Sequence, residues 1–155
     1  AICRNMDAWQ KTHVAWVSPV ANALHAVGGS NYDLARRPDV IRCMIRAVRE
    51  GFRVLRELGI PVTPARLNFW RFLPEGLLVL IWQRILATRF AEYIMASHAK
   101  AAREEITALA EEFKRLAEKA SIATPAMDRL RCWQETDDHK PSLTSSAFAD
   151  IRRVL

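Results

Sequence analysis

Glycine is scarce: the 155 residues hold only Gly28, Gly29, Gly51, Gly59 and Gly76, and none of them forms G-x-G-x-x-G or a phosphate loop. That excludes a sequence signature for cradling a dinucleotide or a nucleoside triphosphate within this chain. Cysteine is equally sparse. Cys3, Cys43 and Cys132 are odd in number, far apart and without a C-x-x-C pair, which fits a reducing compartment, with cytoplasm as the default, better than a disulfide framework. The four histidines, His13, His25, His98 and His139, show no H-E-x-x-H and no i, i+3 or i, i+4 pair, so no structural metal is expected. Long hydrophobic runs are missing too. The longest, Leu77 to Trp82, is six residues, against the roughly 20 needed to span a bilayer. No signal-peptide pattern opens the chain, and no membrane partner is expected.

Strand signals are almost absent, limited to the short stretch Ile60 to Val62 bounded by Gly59 and Pro61, so the expected fold is all-α. With 50% apolar and 26% charged residues, the chain suits one domain that buries about two thirds of its unfolded surface. The pattern predicts a first helix from Asp7 to Val27, stopped by Gly28 and Gly29 and kinked or broken near Val17 and Ser18 by Pro19. A short turn of helix from Tyr32 to Arg36 and a helix from Pro38 to Leu58 come after it. Pro61 and Pro64 make residues 59–64 a connector. Residues 65–98, rich in apolar and aromatic side chains, are expected to form two or three helices packed centrally. An amphipathic helix from His98 to Ala120 comes next, then one from Pro125 through Trp133 with Thr124 as its cap. Residues 1–133 thus form a helical domain, and residues 134–155 a polar loop and an amphipathic tail.

Two polar stripes stand out. At about 100° per residue, Lys11, Ala15, Ser18, Asn22 and His25 fall within an arc about 80° wide, so the polar groups of an otherwise apolar helix line up. They form either the wall of a site or the solvated edge of an amphipathic helix. Arg42, Arg46, Arg49, Arg53 and Arg56 make a second stripe opposite Ile41, Ile45, Val48, Phe52 and Leu55. It is either a solvated face, which amphipathic helices show by default, or a docking surface for phosphate or another domain. The net charge of +6 is compatible with an anionic partner. The five tryptophans, Trp9, Trp16, Trp70, Trp82 and Trp133, read as core or interface anchors rather than cofactor platforms.

A lysine early in a long first helix, the NAL…GG ending of that helix, the helix ending in LGIP and the late HAKAAREEI segment together resemble the C-terminal helical domain of the ketopantoate reductase family, over roughly residues 9–130. The resemblance implies a multi-helix bundle like the C-terminal domain of 6-phosphogluconate dehydrogenase. It also implies an NAD(P)H-dependent oxidoreductase acting on a 2-keto acid, whose NADP(H) is bound by an N-terminal Rossmann domain absent from this chain. The chain alone is then inactive and holds no cofactor. Lys11 matches the family's catalytic lysine and Glu105 the glutamate that binds substrate, with Glu104 one register away. The asparagines usual one and two turns after the lysine are Ala15 and Pro19 here, which argues against ketopantoate itself. Ser18, Asn22 and His98 are candidate substrate contacts in their place. The implied partners are the 2-keto acid, the Rossmann domain and a second copy in a homodimer. The rival reading is a non-catalytic helical module that binds nucleic acid or an acidic protein through the arginine stripe; nucleic acid is the lesser partner.

Overall fold

A computed structural model describes residues 6–93 and 103–138, and at 103–107, 109 and 134–138 it describes the backbone alone. Every regular element among the described residues is helical. Helix α1 spans Met6–His25, α2 Asn31–Ala35 and α3 Pro38–Glu57. A 3-10 segment, Ala65–Arg71, precedes α4 at Glu75–Leu86 and α5 at Arg89–Ala91. Helix α6 spans Arg103–Lys119 and α7 Pro125–Asp138. No helix among the described residues is long and apolar enough to cross a membrane.

Helix α3 is the hub, because its apolar stripe is continuous. Val40, Ile41, Met44, Ile45, Val48, Val54 and Leu55 are each at most 1% exposed, a density that only a helix covered on several sides reaches. It packs against α1, α4 and α7. Helices α1 and α3 approach closely at Ala15 and Gly51. A Cβ on Gly51 would stand 3.0 Å from the Ala15 Cβ and 3.1 Å from the Met127 Cε, so a hydrogen at that position lets three helices meet. Pro19 does not break α1, which runs as one element with Pro19 buried. Gly28 and Gly29 end it with positive φ of 78° and 83°, and the Gly29 N–H donates to the Leu24 carbonyl at 2.7 Å, a closure that residues with a Cβ rarely adopt.

Three of the arginines on α3 fasten the chain to itself. Arg46 makes a two-pronged contact with Glu75 at 2.8 and 3.0 Å, and Arg42 joins it at 3.2 Å. Arg49 donates through Nη2 to the carbonyls of Trp70 and Leu73. The clamp holds residues 70–75 over α3 and seats Trp70 edge-on to Trp16, 4.4 Å between ring centroids, with Trp82 beside both at 5.9 Å. Edge-to-face packing of this kind adds to plain burial, and it joins α1, the 3-10 segment and α4.

Two expectations change. Residues 65–98, as far as they are described, are packed centrally only in part: Leu78, Val79, Trp82 and Leu86 join the core with Trp70 and Leu73 against them, and most of the rest faces outward. No residue of the 3-10 segment is buried, and Phe69, Phe72, Leu80, Phe90 and Tyr93 are between 59% and 80% exposed. The apolar run predicts burial, but periodicity carries no information on how many neighbours the helix finds. Helix α7 also runs on to Asp138, five residues beyond Trp133, because Gln134 and Glu135 favour helix and nothing in QETDD breaks it.

Candidate active site

The first turns of α1 carry alternating apolar and ionisable residues, and the helix geometry pairs them. Lys11 is half-buried, with Nζ 2.7 Å from both carboxylate oxygens of Asp7 one turn earlier. An acidic residue four positions before a basic one is the favourable order on a helix. Trp9 and His13, also one turn apart, stack with centroids 5.0 Å apart and planes 12° from parallel. Thr12, fully buried, donates to the Ala8 carbonyl at 2.7 Å and accepts the Thr63 N–H at 3.1 Å. That bond ties this end of α1 to the connector after α3 and fixes its rotation.

Helix α6 supplies the facing wall. Glu112, Phe113 and Leu116 lie across from Asp7, Lys11 and Val14, enclosing about 310 Å³ open to solvent. That is the lower end of the size range of small-molecule sites. An ammonium paired with Asp7, in a cavity that Glu112 also lines with Val14, Phe113 and Leu116, can bind an anion or give a proton to one once Asp7 releases it.

The stripe on α1 continues, but not into the same space. Ala15 is fully buried against Gly51 and separates Lys11 from the polar groups further along the helix. Ser18 and Asn22, 7% and 5% exposed, face a second space of about 30 Å³ with Phe113, Lys114, Thr124 and Arg131 on its far side. That volume accommodates a water and no organic acid. Phe113 lines both spaces, so it is the partition between them. His25, at the last turn of α1, lines neither.

His98 lies outside the described residues. Glu104 and Glu105 belong to α6 by backbone, and their side chains lie outside the described part of the molecule. Reading the sequence missed three groups at the cavity. Asp7 stands four residues before Lys11, and Glu112 seven residues after Glu105, two turns on along the same face. Both spacings are visible in the chain. The Trp9–His13 stack could have been found from the same i, i+4 rule.

Residues 5–133 match the family model of the ketopantoate reductase PanE/ApbA C-terminal domain. The match covers most of the chain, which belongs to that family. Searches of curated proteins and of solved structures gave no match.

Proposed function

We propose that this ketopantoate reductase C-terminal domain is the substrate-binding half of an NAD(P)H-dependent oxidoreductase that reduces a 2-keto acid, with Lys11 as the proton donor. The observation that carries the reading is Lys11 itself. It is half-buried on the wall of the 310 Å³ cavity, on the helix that the family match covers. The described residues do not fit a nucleotide, since they hold no strand and no glycine-rich loop running into a long helix. The cofactor is therefore assigned to an N-terminal Rossmann domain outside this chain, and no residue here is given to it. The nicotinamide, when bound, supplies hydride.

Charge sets the roles of this chain's residues. As the carbonyl carbon is reduced, negative charge gathers on its oxygen, and an ammonium within hydrogen-bond reach stabilises that charge and then donates the proton. Asp7 pairs with the Lys11 ammonium until the substrate carries the competing anion. Glu105 and His98 remain proposed substrate contacts from the family resemblance. Ser18 and Asn22, which line the smaller space, are proposed contacts on the same ground. A cytoplasmic setting is part of the same proposal.

The arginine-striped helix gives little support to a nucleic-acid module. Arg42, Arg46 and Arg49 are bonded to the chain's own Glu75, Trp70 and Leu73, so much of the stripe's charge is already engaged, although Arg42, Arg46, Arg53 and Arg56 are all exposed.

The test is reduction of a panel of 2-keto acids, ketopantoate included, by the full-length protein. Oxidation of NADPH or NADH with at least one of them is expected, and none with any would overturn the proposal. The 155-residue chain by itself should bind no dinucleotide; micromolar binding in a calorimetric titration would contradict the assignment of the cofactor to another domain.

A further inference from the structure

The arginine stripe of α3 has two unlike halves. Toward the start of the helix its charge is neutralised within the chain: Arg42 and Arg46 meet the Glu75 carboxylate, and the hydrogen bond to Glu75 holds the Arg46 guanidinium above its ordinary value. Toward the end, Arg53 and Arg56 are both exposed, and no carboxylate among the described residues pairs with either. Glu50 stands on the same helix, but its oxygens accept the N–H groups of Ala126 and Met127 at 3.1 Å, at the start of α7.

A third guanidinium joins them from outside the helix. Arg49, one turn before Arg53, holds the Trp70 and Leu73 carbonyls, which brings residue 71 to the same side of α3. The Arg71 guanidinium lies over the Phe72 ring, 4.3 Å from its centroid, a seat that steadies a long side chain. Arg56 feels both neighbours. It is held below the ordinary guanidinium value, first by partial loss of water and then by the charges of Arg71 and Arg53. Like charges gathered without a counter-ion destabilise a fold, a cost that a bound anion would remove.

We propose that Arg53, Arg56 and Arg71 form a binding site for the phosphate group of a small soluble ligand. The donors select the group: each guanidinium is a planar fork that meets phosphate oxygens two at a time, and three of them satisfy a dianion. Spacing selects a single group. Arg53 and Arg56 are about 4.5 Å apart along the helix axis, the span of one phosphate rather than of a row. Charge nearby selects a compact ligand. Glu57 follows Arg56 and is exposed, and Glu75 lies at the other end of the stripe. A nucleic-acid backbone or an anionic membrane laid along α3 would meet a carboxylate at either end, whereas a small phosphate ester fits between them. None of the three arginines lines the Lys11 cavity, so this ligand is not the substrate seated there, and the site does not rest on that reading.

Titration of the 155-residue chain with inorganic phosphate at constant ionic strength, followed by NMR of its backbone amides, tests the site. Saturable binding with a dissociation constant of about 1 mM or tighter is expected, the scale of two or three charge-assisted hydrogen bonds partly offset by lost freedom. The largest shifts should fall at residues 53–56 and 71–72. Arg56→Gln and Arg71→Gln should each weaken binding about 10-fold or more, with the melting temperature kept because both side chains are exposed. Arg42→Gln removes the same charge from the same helix face and should leave binding almost unchanged. No saturable binding, or an equal loss in Arg42→Gln and Arg56→Gln, overturns the proposal, since general positive charge would then explain the result. Tighter binding to phosphatidylglycerol vesicles or to single-stranded RNA through the same arginines also overturns it, by giving the surface to a membrane or to nucleic acid. The reading of Lys11 fails separately, by turnover of the full-length protein, which Arg56→Gln should leave as it is in the parent.

Discussion

Helices α3 and α4 lie against each other, and their outward faces carry opposite chemistry: arginines on α3, leucine and isoleucine on α4. The arginine face is the one that composition alone would give to a partner. Three of its five arginines are instead bonded to residues 70–75 of the same chain. The aliphatic face, which composition would place in the core, is exposed along α4. Charge on a helix can thus serve internal assembly, because a guanidinium satisfies backbone carbonyls and a carboxylate at once. An apolar surplus on a helix with neighbours on one side marks where a further neighbour belongs.

The comparison breaks most visibly at Arg49. Replacing it with alanine removes the donor to the Trp70 and Leu73 carbonyls and should destabilise the fold by about 2–4 kcal/mol, the cost of charge-assisted hydrogen bonds lost at a half-buried site. Urea unfolding checks this, and a loss within about 0.5 kcal/mol, the usual scatter of surface changes, would make the clamp incidental. Gly51→Ala probes the hub under both faces. The added methyl meets the Ala15 Cβ at 3.0 Å and the Ala15 carbonyl oxygen at 3.3 Å, so overpacking outweighs the gain in helix propensity. A net loss of about 1 kcal/mol is expected in thermal melts. An increase in melting temperature would show that α1 and α3 can part freely.

A smaller effect comes from acid. The Glu75 carboxyl is held below the usual carboxylate range chiefly by its hydrogen bond from Arg46, with the charges of Arg46 and Arg42 adding to it. A depressed folded value means that its contribution to stability is present above the unfolded value and is lost as pH falls through the folded one. Unfolding measured at falling pH should therefore show a loss in the parent that is reduced in Glu75→Gln; identical acid profiles would deny the carboxylate its role. The smallest change sharpens the comparison by contrast. Arg53 is exposed on the same stripe, and Arg53→Ala should stay within about 0.5 kcal/mol of the parent.

Much of the fold could be read from local signals. The 3.6-residue periodicity of α1 and α3, and their stops at Gly28, Gly29 and Gly59, depend on nearby residues alone, and the structure keeps them. The placement of residues 65–93 does not depend on nearby residues, since the Arg49 clamp and the tryptophan cluster bring together groups far apart in the chain. The same division runs through the candidate site. The stripe from Lys11 to Asn22 is helical arithmetic. That Ala15 closes it in the middle is due to Gly51, thirty-six residues on. For the same reason an asparagine at position 15 has no room: Ala15→Asn would overpack the helix crossing and bury an amide there.

The central claim is that Lys11 gives the proton, and turnover by the Lys11→Ala variant of the full-length protein tests it most directly. With the 2-keto acid that the parent reduces best, kcat should fall by about 10² to 10⁴, the range for losing a positioned general acid, while the dissociation constant for NADPH stays where it was. A variant with near-normal kcat would contradict the account and return Lys11 to an ordinary ion pair with Asp7.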